Sequence, residues 1–314
     1  MKNADMKVIA IILSIALFFT IVTSNIVSIA SISVLLNGGG AASTNTQGDQ
    51  SQPGSSNQEV GDDGLATDEE AMEEENVEID EEGNIVVEEG QNPIEAAPLT
   101  AYQQAIKAIV ENGAAGYDKK AWQSIEGNGL ELSADSALVN AALGALKGTL
   151  TDLIKGFMTA EEDATVDTSE KGSEDAMNRM PVSNCTSAYV QSATAVKEGD
   201  NYKVTIVMRT QQNPAKADTD GLRVMSKDIL YMEDVVDTIQ NDDTVSAVVE
   251  ELQVGTIDYN DYTITAIMTP DMKFVSIDHD CIADLNATIK AVAIGVVHGS
   301  GQLGFHTRYT NFVY

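Results

Sequence analysis

The sequence predicts an α+β fold: a curled antiparallel β-sheet packed against one long apolar helix, preceded by an N-terminal transmembrane helix and a disordered acidic linker. Three observations carry this expectation. Residues 8–36 hold no charge, residues 37–95 are mainly polar, small or acidic, and beyond Pro98 the apolar spacing changes along the chain. It runs first at three and four residues, as on a helix face, and then at two, as on a strand. The 314 residues divide accordingly into a membrane anchor or signal segment (1–36), an acidic linker (37–95) and an extracellular domain (96–314). The domain splits further into a helical part (98–158), a polar loop (159–183) and a β-rich part (184–314).

Lys2 and Lys7 precede the apolar run Val8–Leu36. Those 29 residues would make a helix of about 43 Å, more than the roughly 30 Å hydrocarbon core requires. Positive charge on the N-terminal side places that end in the cytoplasm and the rest of the chain outside. Two readings compete. A cleaved signal peptide would use Val8–Val22 as its apolar core, with Ser28-Ile29-Ala30 as the cleavage site. An uncleaved single-pass anchor, the reading we favour, explains why the run continues through Ile32, Val34, Leu35 and Leu36. The chain is then a cell-membrane protein with an extracellular C-terminal domain, or a secreted one if the segment is cut.

Between Asp49 and Glu95 there are 17 acidic residues, and no Lys or Arg occurs from residue 8 to residue 106. Such a segment buries too little apolar surface to offset its ordering entropy, and like charges extend it. It reads as a spacer. Across the chain, 18 Lys+Arg against 49 Asp+Glu leave a net charge of −31, which repels phosphate backbones and argues against a nucleic-acid partner.

In the head, Thr100 starts a helix through Ala105, Ile106, Ile109 and Val110 that ends at Asn112-Gly113. Tyr117–Trp122 reads as a short turn. Ser133 or Ser136 opens the longest helix, with Leu138, Val139, Leu143, Leu146, Leu150, Leu153, Ile154 and Phe157 on one face. Glu198-Gly199-Asp200 joins two alternating runs as a hairpin. Residues 226–252 read as helix in two pieces, Ile229–Ile239 and Val245–Leu252, before an alternating strand at Tyr262–Met268. After a Thr269-Pro270-Asp271-Met272 turn, the odd positions from Val275 to Ala291 form one apolar face, a strand of roughly 60 Å if straight. So long a strand must curl, and the glycines at 295, 299, 301 and 304 supply the bends of the return strand.

That outline is similar to the half-barrel carriers of bacterial envelopes, which bind lipids and lipoproteins, and the layout resembles anchored surface proteins of Gram-positive bacteria. Both resemblances rest on architecture, over about 130 residues for the first, with no sequence motif. The wide apolar face of the long helix and the clean alternation of the sheet point to a membrane-tethered, non-enzymatic binding or carrier domain for an apolar small molecule, its pocket lined by Leu143, Leu146, Leu150, Ile277, Leu285 and Ile289. The alternative is a surface scaffold or adhesion module with a filled core, whose partner is another surface protein. A cell-envelope hydrolase stands third.

The chemistry-bearing residues add no catalytic, cofactor or metal assignment. Cys185 and Cys281 form a disulfide closing a long loop, a bond contributing about 4–5 kcal/mol in the chain-entropy account, or remain free thiols in an apolar setting. His298 and His306 lie too far apart along one strand to share a metal. His279 and Cys281 share a face, without a third ligand. Asp278 and Asp280 flank His279 on the wet face, and their clustering with a histidine would favour an enzyme.

Overall fold

The computed structural model describes residues 72–73, 75, 77–81, 85–155, 158–241, 249–291 and 295–314. The expected anchor (1–36), most of the linker, and the side chains of Leu138, Leu146, Leu150, Leu153, Ile154 and Phe157 lie outside the described residues. Among the described residues, no helix is long and apolar enough to cross a membrane.

Alternation in the C-terminal half produces an open antiparallel sheet with a few helices, an α+β fold. Its strands are β1 (Gly116–Ala134), β2 (Val166–Ser169), β3 (Val190–Glu198), β4 (Asn201–Met208), β5 (Gln211–Gln212), β6 (Val249–Met268), β7 (Phe274–Ala291) and β8 (Gly295–Val313). The order is β2-β1-β8-β7-β6-β4-β3, with β5 paired to β6. The helices are α1 (Pro93–Ala96), α2 (Pro98–Asn112), α3 (Ala137–Lys155), α4 (Glu174–Arg179), α5 (Leu222–Met225) and α6 (Met232–Asn241).

The β3–β4 hairpin forms as its pattern dictates, with Gly199 at φ 64° in the turn. β7 buries Ile277, His279, Cys281, Ala283, Ile289 and Ala291, all on the face the alternation marks. Val275 is the exception, 44% exposed, because the β6–β7 register shifts between the pairs Ile267–Ser276 and Met268–Phe274. That shift turns Phe274 inward instead.

Three expectations are corrected. Tyr117–Trp122 is the start of a 19-residue strand, not a turn. Its inward positions include Lys119 and Gln123, so no apolar period marks it, and positive φ at Gly127 and Gly129 accompanies a further register shift. Residues 249–252, read as helix, open β6; residues 242–248 lie outside the described residues. Only the second half of β6, Tyr262–Met268, is legible as a strand, because its buried set changes parity, from Ile257 and Tyr259 to Tyr262, Ile264, Ala266 and Met268, across a register shift between Tyr259 and Asp261. The polar loop 159–183 contains β2, α4 and a 3₁₀ turn at Glu161–Asp163.

Among the described residues, α2 supplies Leu99, Ala101, Tyr102, Ala105, Ile106 and Ile109 to the main core. Pro98 opens α2 and Gly113, in the left-handed region, closes it. Its first N–H groups are met from outside: Glu75 accepts from Leu99 N (2.8 Å), Thr100 N (2.9 Å) and Thr100 Oγ1 (2.7 Å). Glu75 belongs to the stretch expected to be disordered. So does Ile85, which is buried and bridges to Ile79, and Asn92, which caps α1. Among the described residues, contacts with the head therefore reach back to residue 72. α3 starts beside Ser136, as expected, runs back along β1 and buries Val139 and Leu143 outside the main cluster.

Candidate functional site

Strand pairing places two polar groups back to back on the two faces of β1, β8 and β7. Inside, the His279 ring lies 2.6 Å (Nδ1) from the Tyr262 hydroxyl and 3.4 Å (Nε2) from that of Tyr102. Tyr262 donates to the Met225 carbonyl at 3.1 Å, so Nδ1 carries the ring proton and Nε2 accepts from Tyr102. Burial disfavours the imidazolium and holds its pKa down at about 4, against opposing pulls from Asp228 and Asp280.

Next to it, Lys119 Nζ sits 2.7 Å from Asp228 Oδ2, and Thr307 Oγ1 donates to the same carboxylate at 2.9 Å. Burial alone would raise the Asp228 pKa. The Lys119 charge and the bonds from Lys119 and Thr307 outweigh it, and the carboxyl stays below its usual range. This inner group is fully partnered and closed by aromatic rings: Tyr309 packs edge-on against His279 at 5.7 Å. It is a buried polar network that fixes how α2, β6, β7 and β8 meet.

Outside, His306 Nδ1 is 2.9 Å from Asp280 Oδ1 and Nε2 is 2.8 Å from Ser124 Oγ. Trp122 stacks on the His306 ring at 5.2 Å with an interplanar angle of 16°. The Ser124 hydroxyl hydrogen has two acceptors in reach, His306 Nε2 and Glu126 Oε1. Bonding to His306 heads the influences that hold the Asp280 carboxyl below its usual range. Arg308 donates to Asp278, lies 3.5 Å from Glu161 and sits 5.4 Å from the Trp122 ring centroid. A second outer histidine, His298, joins Thr288 (3.0 Å) to Asp135 (3.1 Å).

No family model, curated protein or solved structure matches this chain. Function must be argued from its own geometry.

Of the six residues expected to line an apolar pocket, Leu143, Ile277, Leu285 and Ile289 are described, and the side chains of Leu146 and Leu150 lie outside the described residues. Ile277 is fully buried in the main core, and Leu285 is packed against that core from a half-buried position. Ile289 is buried outside it, about 40 Å from Ile277 along the same strand. Leu143 is buried on α3 and likewise outside the main cluster. Two hollows of about 420 and 290 Å³ are lined by other residues. The larger lies over Leu132, Thr288, His298 and Ser300, and the smaller lies beside α2 at Gln103, Lys107 and Asn184.

Cys185 and Cys281 are both free and both buried, so of the two alternatives the structure carries the thiols. Burial raises both, the Cys185 thiol to about 12. His279 and Cys281 share a face as expected, but the ring is committed to two tyrosines. Among the described residues no group of three or more His, Cys, Asp and Glu is placed to hold a metal. The outer Ser124–His306–Asp280 group was missed because its members are scattered over 182 positions. The usable signal was the pairing of β8 with both β1 and β7, which sets Asp280 beside His306 and Ser124 beside Gly304.

Proposed function

We propose that this chain is a membrane-tethered surface module, its acidic segment holding an α+β head away from the lipid, and that the head acts by contact with partner surface proteins. The observation supporting contact over carriage of an apolar ligand is the filling of the core. Tyr102, Tyr117, Tyr259, Tyr262, Tyr309 and Phe274 are all fully buried, and Ile277, one of the expected pocket residues, is packed among them. Apolar carriers need a cavity of several hundred Å³ that buries most of the ligand. Around Ile277 the interior space is occupied by side chains. In this reading α2 packs on the sheet at β3, β4 and, through Tyr102, β7, while α3 lies along β1.

The test is mass spectrometry of the full chain, purified from its native membrane and compared under native and denaturing conditions. The scaffold reading expects the same mass in both. A lipid-sized mass lost on denaturation would overturn it in favour of a carrier. Protease added to intact cells should release the head, and a protected head would sink the extracellular placement.

A further inference from the structure

We propose that Ser124 is a nucleophile toward small activated esters, with His306 as its general base and Asp280 as the positioning residue that orients the imidazole. The inference goes beyond the scaffold reading and does not rest on it, since it concerns the outer face rather than the core.

Three strands supply one group each. Ser124 comes from β1, His306 from β8 and Asp280 from β7, and the register sets His306 between Trp122 on one side and Asp280 on the other. The two ring nitrogens face different partners. Nε2 meets the hydroxyl at 2.8 Å and Nδ1 meets the carboxylate at 2.9 Å. That is the relation a hydroxyl nucleophile requires: a base within hydrogen-bond reach, its far nitrogen held by an acceptor that fixes the tautomer. Ring orientation is fixed independently by the Trp122 stack.

Gly304 makes the room in which the hydroxyl meets the ring. It pairs directly with Ser124, and a Cβ there would collide with Ser124 Oγ, stand 2.6 Å from His306 Nε2 and 3.0 Å from Glu126 Oε1. Any side chain at 304 would therefore push the hydroxyl off the imidazole. Ser124 itself is only part-buried, which leaves it within reach of a small molecule. Two cations, Lys120 and Arg308, flank Trp122 at 5.8 and 5.4 Å from its ring centroid.

The step is an acyl transfer. As Oγ bonds to the ester carbonyl carbon, its proton passes to His306 Nε2. The bond from that carbon to the alcohol oxygen breaks, and the departing alkoxide takes the proton from Nε2. The acyl group remains on Ser124, and water removes it by the same sequence in reverse, leaving a carboxylic acid. Glu126 is the competing acceptor for the Ser124 hydrogen and restrains the reaction whenever it holds it.

The probe is a fluorophosphonate, applied to the full chain in detergent at neutral pH, with the adduct mapped by peptide mass spectrometry. One adduct on Ser124 is expected. In Asp280→Asn, where a half-exposed carboxyl is replaced at constant shape, the labelling rate should fall about tenfold or more. In His306→Ala it should fall by about 100-fold or more. Hydrolysis of p-nitrophenyl acetate should exceed that of Ser124→Ala, whose melting should be unchanged. No adduct on Ser124 in the folded chain would overturn the proposal. So would a rate that Asp280→Asn leaves untouched, a result readable even if His306→Ala fails to fold.

Discussion

The Tyr262 hydroxyl and His279 Nδ1 stand 2.6 Å apart on adjacent strands, both groups buried. A ring in that position stays neutral because burial penalises its charge, and its pKa sits at about 4 against an ordinary 6.5. The unfolded chain therefore binds a proton that the folded chain refuses between those values. Stability should fall as the pH drops from about 6.5 to about 4, by about 3 kcal/mol from this residue, and level off below. Urea denaturation across that range checks it: His279→Gln should be less stable at pH 7 but lose less on acidification. Equal pH slopes in the two proteins would refute the assignment.

Lys119 and Asp228 lie 2.7 Å apart with side-chain exposures of 12% and 30%. Lys119→Met should leave Asp228 with the Thr307 bond alone and destabilise the head by about 2–3 kcal/mol. Asp228→Asn in the same background should recover part of that loss, because the unpaired charge goes with it. A double-mutant cycle measures the coupling.

Glu75 places an anionic cap on the first turn of α2 across 24 residues of chain. Glu75→Ala should cost about 1 kcal/mol. Removing residues 72–95 altogether also strips away Ile85 and Ile94, each buried, and should cost several kcal/mol more. Thermal melts of chains beginning at 72 and at 96 compare the two boundaries, and indistinguishable midpoints would return the boundary to 96.

Cys185 and Cys281 should resist modification in the native state, since burial raises both thiols out of the reactive range. A thiol reagent should titrate neither until denaturant is added, and then both together.

Gly304→Ala should destabilise by about 1–3 kcal/mol through overpacking against Ser124 and His306, whereas Gly199→Ala, at an open turn with φ 64°, strains only the backbone. Melting curves separate the two effects, because only the first should also displace the Trp122 stack and alter its fluorescence.

What was legible in the sequence follows the cleanness of its periods. β4 and β7 declared themselves because one face is dry along most of their length, as the alternating burial of Tyr202, Val204, Ile206 and Met208 shows. β1 did not, because Lys119 points inward to Asp228 and its apolar neighbours are too few to set a rhythm. β6 was half visible, since the register shift near Asn260 reverses which positions are buried. Distance in the chain hid the rest: no local pattern announces that Glu75 will cap a helix beginning at Pro98, or that Ser124 will meet His306. Asp280 was correctly marked as a polar position beside His279, yet alternation sends those two to opposite faces, and the histidine it meets comes from the next strand.

The Met72 amide donates to the Val190 carbonyl at 2.7 Å, on the outer edge of the last strand in the sheet order. Under the proposed tethering, tension would enter the head at a margin, where the described contacts include that backbone bond and the Glu75 clasp, while Gly295–Val313 is held inside the sheet as β8. A pull between a gripped partner and the membrane peels such an edge one contact at a time instead of shearing a whole ladder at once. The first response to force should be a lengthening of the tether by roughly two dozen residues, with the core intact behind it.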